Sequence, residues 1–155
     1  APLSSVQKDG ITMNSDRIKS IVRRLSRKHN TRDPFILADA LGILTVTEPL
    51  GALNGYYTKK YRIKIIHINS SLSESEQRFA CAHELGHALL HPDANTPFLT
   101  KYTYLSVDKY EIEANKFALE LLVPDELLLE YQDCTIDQVA RATGYQNNLI
   151  ELRMK

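Results

Sequence analysis

His83-Glu84-Leu85-Gly86-His87 sets two imidazoles four positions apart with a carboxylate between them. On a helix, residues i and i+4 stand one above the other, so both rings can reach a single metal ion. Glu84 lies about 100° round the axis from His83. From there it can touch water on the metal without being a ligand. Zinc lowers the pKa of such water toward neutrality, and an adjacent carboxylate takes the proton. The spacing points to hydrolysis at a zinc ion (Zn2+), with Glu84 as general base.

A hydrolytic zinc site uses three protein donors and keeps one position open. The extended pattern H-E-x-x-H-x-x-G-x-x-H would supply a third histidine. Here Leu90 stands at its glycine position and Asp93 at its last histidine, so that pattern fails. The third donor then comes from a second helix, read over residues 108–123 and followed by Pro124. It offers Glu111 and Glu113, about 200° apart on the helix. Glu113 shares a stripe with Lys116 and Glu120, which reads as a solvated face. Glu113→Ala is therefore expected to cost no more than a surface pair. Glu111 shares its face with Ala114, Asn115, Ala118 and Leu122, small residues suited to close approach. Glu111 is favoured as the ligand, and Asn115, one turn on, as the hydrogen-bond partner of a zinc histidine. The competing structural role for Glu111 is a capping box with Asp108.

The helix bearing the motif has its own signals. Ser73-Glu74-Ser75-Glu76 reads as a capping box at its start, and Pro92 closes it after His91. Ala80, Ala82, Leu85, Ala88, Leu89 and Leu90 make it apolar nearly all round, as expected of a buried helix. Gly86 within it costs about 1 kcal/mol against alanine, which implies a packing or site requirement. His91 reads as a helix C-terminal histidine stabilised by the dipole. His67, Tyr56, Tyr57, Tyr102 and Tyr104 are candidate donors to a developing oxyanion, with no spacing that selects among them.

The remaining elements follow from periodicity. Residues 15–29 form an amphipathic helix, with Ile18, Ile21, Val22 and Leu25 on one side and Lys19, Arg23, Arg24, Arg27 and Lys28 on the other. The basic side reads as solvated rather than as a dock for an acidic partner or phosphate. Asp33-Pro34 opens a second helix to Leu41, capped by Gly42. Residues 43–47, 54–58 and 62–69 are β-rich, the last two a hairpin around Lys59-Lys60. Helices follow at 125–132 and 135–143, the latter ended by Gly144. The fold class is α+β: a small antiparallel sheet packed against a helical core. The strand nearest the motif helix is expected to hold extended peptide by strand addition. Residues 135–144 resemble half of a helix-turn-helix, but the few charges after them favour a packing helix.

With 155 residues, 43% of them hydrophobic, the chain is long enough for one domain with a substantial core. Basic and acidic side chains balance at 19 each, so direct nucleic-acid binding is not expected. No apolar run reaches the about 18 residues that would span a membrane. Cys81 and Cys134 are too few for a disulfide scaffold and fit a reducing, cytoplasmic setting. Residues 1–12 lack periodic pattern and read as an added remnant or disordered arm, with 13–155 as a single zinc metallopeptidase domain.

FACAHELGHALLH followed by EIEANKFALELLVP resembles the ImmA/IrrE family of metallo-endopeptidases. That family shows R-F-T-x-A-H-E-L-G-H-x-L-L-H and then E-x-x-A-N-x-F-A-x-x-L-L-x-P. Arg78, Phe79, residues 83–87 and His91 match the first block. Glu111, Ala114, Asn115, Phe117, Ala118, Leu121, Leu122 and Pro124 match the second. Gly55-Tyr56-Tyr57 and Ile66-His67-Ile68-Asn69 are similar to two family strands. Cys81, where threonine is common, lies on the helix face opposite His83 and is expected to have no metal role. The resemblance implies a zincin-like core with His83, His87 and Glu111 as zinc ligands and Glu84 as catalytic base. It also implies a cytoplasmic protease, often prophage-encoded, that cleaves a helix-turn-helix repressor. The alternative of another class is a non-catalytic, zinc-stabilised regulator that binds a partner protein or DNA. A fourth side chain on the metal, such as His91 or Cys81, would favour it.

Overall fold

The computed structural model describes residues 15–94 and 104–154. The expectation for residues 1–12, and Tyr102 and the side chain of Tyr104 among the donor candidates, lie outside what is described. Two helices, α1 (Ser15–His29) and α2 (Pro34–Ala40), precede a three-stranded sheet of β1 (Leu44–Glu48), β2 (Gly55–Lys60) and β3 (Ile63–Asn69). Among the described residues five helices follow: α3 (Glu74–Leu90), α4 (Tyr104–Leu122), α5 (Asp125–Glu130), α6 (Ile136–Thr143) and α7 (Asn147–Met154). The architecture is α+β. Among the described residues, no helix is long and apolar enough to cross a membrane.

The sheet is mixed rather than antiparallel. Its order is β1-β3-β2, with β2 antiparallel to β3 and β1 parallel to it. Residues 49–54 carry the chain across the end of β3, so β2 forms the far edge and the hairpin returns β3 to the middle. The whole of β2 and its turns thus makes the crossover that a parallel pair needs. Asn69, 2% exposed at the end of β3, holds the crossing loop. Its amide nitrogen donates to the carbonyls of Gly51 (3.0 Å) and Leu53 (2.8 Å), and its oxygen accepts from Leu50 N at 3.3 Å. The hairpin turns at Tyr61-Arg62, two residues beyond the expected Lys59-Lys60. Both turn residues have positive φ, 51° and 68°, as a two-residue I′ turn requires. Neither is the glycine or asparagine that announces such turns.

Tyr57, Ile66 and Ile68 are fully buried on the sheet face toward α3. They join Ile18 and Val22 of α1, Leu37 of α2, Leu85 of α3 and Phe117 and Leu121 of α4 in one core. A smaller core gathers Val123, Val139, Ala140, Tyr145 and Ile150, with Phe79 of α3 packed against it. α3 opens on the expected capping box, Ser73 with Glu76, and α6 on a second, Thr135 with Gln138. α6 ends on Gly144, at φ 81°, where a β-carbon is disfavoured. α7 was not signalled by the sequence.

Asp125 ties the two ends of the described chain together. It bonds Lys19 at 2.8 Å, Arg23 at 3.3 Å and Arg153 at 2.7 Å. Hydrogen bonds from Lys19 and Arg153 draw its carboxyl down to about 2. A depressed folded-state pKa stabilises above the unfolded value, about 3.9, and that stability is lost as pH falls toward 2. Asp125 is 39% exposed, so solvent screening holds the contribution to about 1 kcal/mol. Asp125→Asn is expected to lower the melting temperature at pH 7 and to flatten its decline between about pH 4 and 2. Thermal melts across that range check both.

Candidate metal centre

The site depends on how closely α3 and α4 approach. A β-carbon on Gly86 would lie 3.2 Å from both Ala114 Cα and Phe117 Cβ. The glycine is thus required by the neighbouring helix, and its absent side chain lets the two backbones nearly touch. Alanine at 86 would gain about 1 kcal/mol of helix propensity. Against that, wedging a methyl group onto backbone costs about 1–3 kcal/mol. Gly86→Ala is expected to lose about 1 kcal/mol net and to weaken metal affinity by parting the helices. A melt of the metal-free variant and a metal titration test this; a more stable variant with unchanged affinity would show that α4 yields freely.

At this crossing three donor side chains converge. His83 Nε2 lies 3.2 Å from His87 Nε2. Glu111, on α4, places Oε2 2.9 Å from His83 Nε2 and Oε1 3.0 Å from His87 Nε2. Donors on a tetrahedral ion with bonds of about 2.0–2.1 Å stand roughly 3.3 Å apart. Two imidazoles and a carboxylate at these separations therefore fit a divalent metal ion. Glu84 also brings an oxygen within 4.8 Å of the histidine nitrogens, but Glu111 is in direct contact with both and is the better third donor. His83 Nδ1 bonds the Asn115 side-chain oxygen at 2.8 Å, the contact expected of that residue. Glu84 is 5% exposed and lines the cleft beside His83.

The electrostatics follow from burial and pairing. Burial works to depress the His83 pKa, yet its bond to Glu111 and the charges of Glu84 and Glu111 leave it raised. For His87 burial wins, helped by the neighbouring histidines, and the pKa is lowered. Burial would raise the Glu111 carboxyl, but the two imidazoles hold it far below the usual carboxylate range.

Glu113 corrects the sequence reading. It is 2% exposed, not solvated. Its Oε1 lies 2.6 Å from His91 Nε2, and His91 Nδ1 lies 3.1 Å from His87 Nδ1. His91 stands at the C-cap of α3, the helix-end position read from the sequence, and is itself buried. At 100° per residue, Glu111 lies about 60° to one side of Ala114 and Glu113 about 100° to the other. Because Ala114 sits on Gly86, the two glutamates straddle the contact line and both reach α3. The signal available was the stripe His83, His87, His91 at i, i+4, i+8: a third histidine on that face calls for a partner on the opposing helix.

A cleft of about 420 Å³ opens beside His83, Glu84 and Glu111. One wall comes from the loop at Leu53 and Asn54 and from Gly55 of β2, the other from Tyr145, Gln146 and Leu149 of the α6–α7 turn and α7. The half helix-turn-helix resemblance is thus a helical pair that closes the cleft, with Arg153 turned inward onto Val123 O and Asp125. Of the oxyanion-donor candidates, Tyr57 donates to Pro92 O at 2.6 Å, and Tyr56 stacks on His67 at 4.2 Å. None of these three lines the cleft; Tyr145 does, which the sequence did not single out. Cys81 is buried in the main core, and burial pushes its thiol well up.

The peptidase family described as the IrrE N-terminal-like domain matches residues 38–155. The chain belongs to the ImmA/IrrE family of metallopeptidases. It is 35% identical over 118 residues to a protein named Metallopeptidase ImmA of Bacillus subtilis (strain 168), covering 75% of this chain and 69% of that one. It is 45% identical over 139 residues to Uncharacterized immunity region protein 2 of Bacillus phage phi105, covering 88% of each. Among solved structures it is similar to a Mycobacterium tuberculosis transcriptional regulator, with a TM-score of 0.60 at 16% identity. That match covers 86% of this chain but 45% of the regulator, so the likeness is one of fold and the chain spans under half that protein's length. Membership of the ImmA/IrrE family makes this a peptidase that works with a metal ion.

Proposed function

We propose that this metallopeptidase is a zinc-dependent endopeptidase that cleaves a helix-turn-helix transcriptional repressor of a prophage or mobile element. The convergence of His83, His87 and Glu111 within 2.9–3.2 Å of one another carries this reading. These three hold the ion, and Glu84 is the catalytic base. Zinc bound there supplies a Lewis acid that acidifies water and polarises a peptide carbonyl. Glu84 takes the water proton and delivers it to the departing amine. Asn115 holds His83 by its outer nitrogen. Burial of Glu84 keeps bulk water from competing for its carboxylate.

Substrate lies along β2. Both β1 and β2 are sheet edges, but Gly55 of β2 lines the cleft, and a β-carbon there would stand 3.6 Å from Glu84 Cγ. An extended segment added to β2 brings its backbone to the carboxylate. The repressor as substrate rests on the family resemblance, and the phage immunity-region relative is in keeping with it. Both cysteines are free thiols, which suits the cytoplasm.

A purely structural ion would take a fourth side chain. His91 is engaged by His87 and Glu113, and Cys81 is in the core, so both candidates for that role are committed elsewhere. Zinc-loaded protein mixed with a candidate helix-turn-helix repressor is expected to yield two fragments by mass spectrometry, and none with chelator. An intact repressor whose DNA binding is nevertheless abolished would replace the protease reading with the regulator reading.

A further inference from the structure

We infer that His91 and Glu113 are positioning residues that fix the ring of His87 so that its Nε2 faces the metal. This rests on the zinc-site reading above. The argument is one of donors and acceptors along a chain of three buried groups. His87 is fully buried, His91 7% exposed and Glu113 2% exposed. None can turn to water for a missing partner, so each contact between members of this chain of three must pair a donor with an acceptor.

A carboxylate only accepts. At 2.6 Å, His91 Nε2 therefore donates its hydrogen to Glu113 Oε1. A neutral imidazole carries one hydrogen, which leaves His91 Nδ1 as an acceptor. The contact of 3.1 Å between the two Nδ1 atoms then requires His87 to donate from its own Nδ1. His87 Nε2 is left with a lone pair; Glu111 Oε1, 3.0 Å away, also only accepts, so the two face each other as ligands of a shared cation and not as a hydrogen-bonded pair. A carboxylate on α4 thereby selects, through one intervening ring, which nitrogen of a histidine on α3 is offered to the ion. Metal-ligating histidines commonly have the outer nitrogen bonded directly to a carboxylate or carbonyl. Here His83 uses the Asn115 oxygen, and His87 is one ring further removed from its acceptor.

The test measures zinc affinity by competition with a chromophoric chelator, together with histidine tautomers from long-range 1H–15N correlations in zinc-loaded protein. Glu113→Met fills the same volume without an acceptor and is expected to weaken zinc binding about 10–100-fold. Glu113→Gln keeps an acceptor oxygen and is expected to stay within about threefold of wild type. In wild type, His91 is expected to carry its hydrogen on Nε2 and His87 on Nδ1. Melts of the metal-free variants confirm that each is folded. Equal affinity of wild type and Glu113→Met, or a hydrogen on His91 Nδ1 in wild type, overturns the inference while leaving the zinc site standing. Wild-type protein that takes up no zinc overturns the site and this inference together.

Discussion

Glu84→Gln is expected to cut peptide hydrolysis by about 10²–10⁴-fold while leaving zinc content unchanged. That range is what a positioned general base contributes. Glutamine keeps the shape and hydrogen-bonding reach of the side chain but cannot take a proton. Glu84 is buried, and the contacts among His83, His87 and Glu111 do not run through it, so its replacement is expected to leave the donor set intact. Binding of the repressor is expected to persist, giving a stable complex of inactive enzyme and intact substrate. The measurement is kcat and KM on the repressor, with zinc quantified in the same preparation. Wild-type cleavage by the variant would remove Glu84 from the mechanism.

The second large effect concerns Glu111. Partners one bond removed from a metal are worth about 10–100-fold in affinity, so losing a direct ligand is expected to exceed about 100-fold. Glu111→Ala should therefore emerge without zinc and without activity. Glu113→Ala should still take up zinc, more weakly, and should lose about 1–3 kcal/mol of stability because His91 keeps a buried N–H without an acceptor. That cost replaces the surface-pair value of about 0.2–0.5 kcal/mol that a solvated glutamate would have implied. Parallel zinc titrations and melts of the two variants decide the matter. Zinc retained by Glu111→Ala and lost from Glu113→Ala would exchange the two roles.

What could be read beforehand was local. The spacing of His83, Glu84 and His87, the capping box at Ser73 and Glu76, and the small-residue face of Glu111 are each set within a few turns of a single helix. What was misread depends on partners far away in sequence. Glu113 looked solvated because Lys116 and Glu120 share its stripe; only the crossing at Gly86 and Ala114 shows that His91 waits opposite. The direction of β1 is fixed by where residues 49–54 cross the sheet, and strand alternation does not encode that. The hairpin apex shifted because Tyr61 and Arg62 adopt left-handed backbone without glycine or asparagine. α7 escaped notice because Ile150 is its one fully buried residue, too little for a periodic signal.

The pairing of α3 with α4 also bears on how the protein holds together. His87 and Glu111 are 24 positions apart, and an ion gripped by both is a removable cross-link. Like a disulfide closing a loop of that size, it restricts the unfolded chain, an effect worth about 3 kcal/mol in the chain-entropy model. Unlike a disulfide, it is governed by the free metal concentration, and each tenfold rise above the dissociation constant adds about 1.4 kcal/mol to the folded state. Scarcity of the metal would thus shorten the lifetime of the enzyme as well as silence it.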